Sequence, residues 1–156
     1  MPSKNTARNS NAQMAKHLLN VVSDTYLLMI KTHGYHWNVT GPEFHQLHLM
    51  FEGQYTELFA AVDEVAERIR ALGIFAPGGP EAFKHHTAVK DATDEPPSAQ
   101  AMLKDLIKTH EQTRERIEEG RAFAGEIEDT ATEDLLNGRL AAHDKTLWML
   151  RSQLGQ

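Results

Sequence analysis

The chain has 156 residues, near the common size of one domain, with 40% apolar and 24% charged residues and a formal net charge of −6. It has no cysteine, which excludes disulfides, thiolate metal sites and thiol catalysis. No apolar run approaches the roughly 20 residues that span a bilayer, and Met1-Pro2-Ser3-Lys4-Asn5-Thr6 lacks the apolar stretch of a signal peptide, so a cytoplasmic location without membrane contact is expected.

Residues 1–10 are polar and unpatterned and read as a flexible N-terminal arm ahead of one folded domain, residues 11–156. Through residue 40, Lys4, Arg8, Lys16 and Lys31 stand against Asp24 alone, so the acidity lies in the remainder. An acidic body is poor material for a strong nucleic-acid binder. Contact with DNA through Lys4 and Arg8 needs an arm repeated on many subunits; otherwise those cations only keep the tail soluble.

From Ser10 to Asn38 the apolar positions Met14, Leu18, Val21, Val22, Leu28 and Met29 predict a first amphipathic helix, with Ser10 or Asn11 as N-cap. Thr40-Gly41-Pro42-Glu43 reads as the start of a second, with Thr40 as N-cap and Glu43 closing a capping box. Phe44, Leu47, Phe51, Leu58, Val62, Val65, Ile69 and Leu72 supply its stripe, and Gly73 its stop. The segment from Pro77 to Pro97 is too long for a tight turn and predicts a crossover between parallel helices. Ser98 opens a third helix, its inner face carrying Met102, Leu103, Leu106, Ile107, His110 and Ile117. A capping box at Thr130-Ala131-Thr132-Glu133 opens a fourth, striped by Leu135, Leu136, Leu140, His143, Leu147 and Leu150, with Trp148 as an interface or core anchor. The fold class is all-α, a ferritin-like four-helix bundle with a long crossover.

Chemistry concentrates around the second helix. His48, Glu52, Asp63 and Glu67 fall within an arc of about 100° on one face, and His36 lies just before the turn. Imidazole and carboxylate suit iron, manganese or zinc. Glu52 and Asp63 stand roughly 16 Å apart along a helix axis, too far for one ion. A two-fold axis near Glu57 and Leu58 removes the difficulty: a second antiparallel copy brings its Asp63 and Glu67 beside His48 and Glu52, making two equivalent sites. His36 folds over as the fifth ligand. His33, one turn from His36, and Trp37 are expected to support the site, Trp37 as an apolar wall orienting His36.

His36-Trp37-Asn38-Val39-x-Gly41-Pro42-x-Phe44-x-x-Leu47-His48-x-x-Phe51-Glu52, followed by Asp63-Glu64-x-Ala66-Glu67-Arg68, resembles the signature of the Dps proteins, the mini-ferritins of DNA protection during starvation. The resemblance covers nearly the whole chain. It implies a hollow dodecamer, a short helix within Glu81 to Val89, and a di-iron ferroxidase site shared between two-fold partners. His36, His48 and Glu52 then come from one subunit, Asp63 and Glu67 from its neighbour. Where many members have Asp, this chain has Glu52, one methylene longer. The resemblance further implies oxidation of Fe(II), mainly by hydrogen peroxide, and ferric storage that spares DNA. It places Asp134 at a cation-entry pore, with Glu126 and Asp129 beside the usual pore acids. No Glu-x-x-His occurs in the chain, which favours a site between subunits over one inside a single bundle. The other function considered is a nucleoid-compacting DNA-binding protein with a minor metal role. A dinuclear carboxylate oxygenase is the third, but no extra helices are available to enclose an organic substrate.

Overall fold

A computed structural model describes residues 4–156, with side chains from Ala7 onward. Its elements are α1 (Lys4–Asn38), α2 (Phe44–Ala71), the short α3 (Pro80–His86), α4 (Ala99–Glu126) and α5 (Thr130–Gln153). Among the described residues there is no strand, and no helix is long and apolar enough to cross a membrane. Short connections make α1/α2 and α4/α5 antiparallel neighbours. The ties Asp24–Arg116 and Lys31–Asp105 run in opposite residue order, so α1 and α4 are antiparallel as well. It follows that α2 and α4 are parallel, as the expected crossover requires.

Helix α1 starts at Lys4, not at Ser10. The described part of the expected flexible arm is helix, because residues 4–10 contain no Gly or Pro to stop the pattern and continue an already formed helix. Asn11 lies inside it and donates its side-chain amide to the Leu72 carbonyl, at the end of α2. Of the two cations expected to touch DNA, the Lys4 side chain lies outside the described residues, as do residues 1–3, and Arg8 is exposed.

The caps also correct the sequence reading. Thr40 does not cap α2: Gly41 takes φ 112°, a turn closes from Phe44 N–H to the Gly41 carbonyl, and Glu43 becomes N-cap without a side-chain bond. At α5 the cap is Asp129 rather than Thr130, its carboxylate accepting from Thr132 N–H. Ser98 caps α4 as expected, accepting from Ala101 N–H. Helices α2, α4 and α5 all end in the same double hydrogen-bonded turn, in which the two residues after the cap bond back to the last turn. Gly73 and Gly155 supply its left-handed residue in α2 and α5; in α4 that residue is Glu128, at φ 57°.

The interior is two apolar clusters with a polar belt between them. One gathers Met14, Leu18, Val21, Val65, Ile69, Ile117 and Leu136, the other Leu28, Leu47, Phe51, Leu58, Met102, Leu106 and Leu150. Fully burying each such side chain contributes roughly 1.5–3 kcal/mol. The belt holds Thr25, Gln54, Thr109, His110, Thr113, Arg139 and His143, all buried. Trp148, expected as an interface or core anchor, is 66% exposed and has no place in the core.

The crossover is pinned by one buried carboxylate. Asp24, fully buried, accepts from Thr87 Oγ1 at 2.8 Å, Ala88 N–H at 2.7 Å and Arg116 Nη1 at 3.2 Å. Arg116 also donates to the His86 carbonyl at 2.8 Å, so α1, α4 and the segment after α3 meet at one ion pair.

Candidate metal centre

His36 lies in the last turn of α1 and His48 in the second turn of α2, and the short connection between them stacks the two rings, with centroids 3.7 Å apart and planes 19° off parallel. Each ring bonds the other's backbone: His36 Nδ1 to the His48 carbonyl and His48 Nδ1 to the His36 carbonyl, both at 2.8 Å. A carbonyl can only accept, so both Nδ1 atoms carry the proton. In the neutral ring that leaves Nε2 as a lone pair, the form that ligates metal. The His36 carbonyl lies among the last of α1, which lack partners within the helix, so the arrangement also caps α1.

His33 and Tyr55 surround this pair. Tyr55 lies 4.1 Å from the His33 ring and meets His36 edge-on at 5.3 Å. Trp37 is 66% exposed and rests on His33 at 4.3 Å, not on His36. The expected wall over His36 is therefore formed by Tyr55 and His33, with Trp37 outside them. The helix turn explains the difference, since consecutive residues point about 100° apart. Tyr55 escaped the sequence reading, although it sits two turns beyond His48.

Glu52 is exposed one turn past His48, and Asp63 and Glu67 are exposed at the other end of the same face. Among the described residues of one chain, no three His, Asp or Glu side chains converge to hold a metal ion. Each chain thus presents two separate parts, a pair of imidazoles with Glu52 and a pair of carboxylates. Phe59 lies between them on that face, 64% exposed.

A model of the ferritin-like domain matches residues 15–156. The DNA protection during starvation protein 2 of Bacillus anthracis is 34% identical over 146 residues, which is 94% of this chain and 99% of that protein. The chain belongs to the Dps family. An uncharacterized low temperature-induced protein of Nostoc is 38% identical over 132 residues, 84% of this chain and 74% of that one. The crystal structure of a Dps protein from Vibrio cholerae, described as one of the ferritin-like diiron-carboxylate proteins, superposes with a TM-score of 0.90 at 28% identity, covering 94% and 92% of the two chains.

The acids at the α4–α5 corner of this Dps chain divide into two kinds. Asp134 and Glu126 are exposed. Asp129 is committed: Oδ1 accepts from Arg68 Nη2 at 2.8 Å and Thr132 N–H at 3.1 Å, and Oδ2 from Thr132 Oγ1 at 2.5 Å. Its side chain is only 13% exposed. Within one chain this carboxylate is paired with arginine and bonded to a helix start, so Asp129 anchors α5. Arg68, next to Glu67 in sequence, is its partner, so the C-terminal end of α2 is tied to the start of α5.

Proposed function

We propose that the chain is the subunit of a hollow homo-oligomer, a dodecamer, that oxidises Fe(II) with hydrogen peroxide and stores the ferric product. Iron is the substrate. His36, His48 and Glu52 of one subunit hold it with Asp63 and Glu67 of a two-fold partner; zinc and manganese suit the same nitrogen and oxygen donors and compete for them. The observation that carries this reading is the reciprocal His36–His48 bond, which sets both rings in the ligating tautomer beside an exposed carboxylate. The exposed Phe59 between the two half-sites supports a partner on that face. Two ferrous ions supply the two electrons that one peroxide takes, and removing both reactants together spares DNA from hydroxyl radicals. Asp134 and Glu126 draw cations inward by their negative field.

Mixed oligomers test the shared site. His48→Ala and Asp63→Ala should each abolish iron oxidation alone. Co-assembled from denaturant, about half the dimers contain one of each chain, and every mixed dimer has one intact site, so activity returns toward roughly a quarter of wild type. Verified mixed oligomers that stay inactive would refute sharing.

A further inference from the structure

In the polar belt, His110 of α4 and His143 of α5 are 2% and 1% exposed and face each other with Nδ1 to Nδ1 at 2.9 Å. Two imidazole nitrogens can bond only if one carries a proton and the other a lone pair. The neutral pair therefore shares one Nδ1 proton, and one ring keeps Nε2–H while the other keeps a bare Nε2. Neither Nε2 has a hydrogen-bond partner among the described residues, and the same holds for Arg139 Nε and both polar atoms of the Gln54 amide. The Glu57–Arg139 bond sets the register of the antiparallel helices α2 and α5. One turn back along α2 and one turn on along α5, Gln54 and His143 come to the same level.

Among the described residues, the carboxylates of the packed helices on this level already have cationic partners. Glu57 of α2 is bound to Arg139 of α5, and Asp144 of α5 to Arg114 of α4. On the α1 side Asp105 pairs with Lys31, which also reaches Thr109, and Asp24 pairs with Arg116. We propose that His110 and His143 form a one-proton lock: the folded bundle accepts the pair only when neutral, which makes the subunit labile to acid from its centre.

Burial and the Arg139 charge hold His110 down at about 3, and burial, His110 and the two arginines hold His143 well below its ordinary value. Both rings titrate near 6.5 when unfolded. Their contribution is thus full above pH 6.5 and is lost as pH falls from there toward 3, since the unfolded chain takes up the protons. Each proton multiplies the unfolding constant about tenfold per pH unit, so the pair gives about a hundredfold.

The test is urea unfolding of the full-length protein at pH 7, 6 and 5, at one fixed concentration. Between pH 6 and 5 the wild-type unfolding constant should rise about sixtyfold more than that of the double variant His110→Leu/His143→Leu, short of the limiting hundredfold because pH 6 lies close to the unfolded value. His143→Asn is the second variant: its amide oxygen still accepts from His110 Nδ1–H but takes no proton, so the excess should shrink to about eightfold. Proton uptake on unfolding at pH 5, from calorimetry in two buffers, should drop by about two and about one respectively. Wild-type and His143→Asn curves with the same pH dependence and proton uptake overturn the lock.

Discussion

His36 and His48 each donate Nδ1–H to the other's main-chain carbonyl at 2.8 Å, so the side chains proposed to hold iron also join α1 to α2. Ligation and tethering use different nitrogens and can be separated. Asparagine reproduces a donor near Nδ1 but has no counterpart of Nε2. His48→Asn should lose iron oxidation while staying within about 0.5 kcal/mol of wild type, whereas His48→Ala should also lose about 1 kcal/mol for the missing hydrogen bond. Urea midpoints beside oxidation rates decide this, and equal destabilisation by both changes would count against the tether.

Glu128 occupies, at φ 57°, the helix-ending position that Gly73 and Gly155 occupy elsewhere. A side chain in that conformation costs about 1–2 kcal/mol. Glu128→Gly should therefore stabilise the protein by about 1 kcal/mol, and Gly73→Ala, at φ 83°, should destabilise it by a similar amount. Thermal melts of the two variants should move in opposite directions.

The corner acids should part company under mutation. Asp134→Asn is expected to slow iron uptake at low salt with little change in the unfolding midpoint. Asp129→Ala removes a helix cap and leaves Arg68 without its carboxylate, so it should lower stability by about 1–2 kcal/mol. Uptake kinetics and unfolding measured on the same preparations distinguish a residue on the iron path from one that holds the corner.

Much of this was legible in the residues because helices repeat. The stripes through Leu18, Phe51, Leu106 and Leu136 announce the bundle, and the crossover prolines announce the parallel pair. The spacing of His48, Glu52, Asp63 and Glu67 already separates the four along one face of α2, since rise per residue is a property of any helix. Contacts between helices are another matter. That His36 and His48 bond each other's main chain depends on the 39–43 turn, and that the Asp129 cap of α5 also pairs with Arg68 depends on α2 lying beside it. Histidines 110 and 143 read as members of apolar stripes, because one helix alone does not disclose what faces it. The helical backbone from Lys4 onward escaped the reading for a similar reason: polar composition excludes a core position but not a helical extension.

The buried carboxylate at Asp24 bears on the order of folding events. Its partner Arg116 is 92 residues away along the chain, and Thr87 and Ala88 reach it only once the crossover lies across the bundle. Closing so long a loop is entropically unfavourable until local helix pairs exist. The ion pair should therefore form after the rate-limiting barrier to the folded subunit. Asp24→Ala is expected to remove about 3–5 kcal/mol and to do so almost wholly by accelerating unfolding, with refolding rates nearly unchanged. In stopped-flow experiments the unfolding arm would rise while the folding arm stayed in place, making Asp24 a determinant of how long a subunit persists rather than how fast it forms.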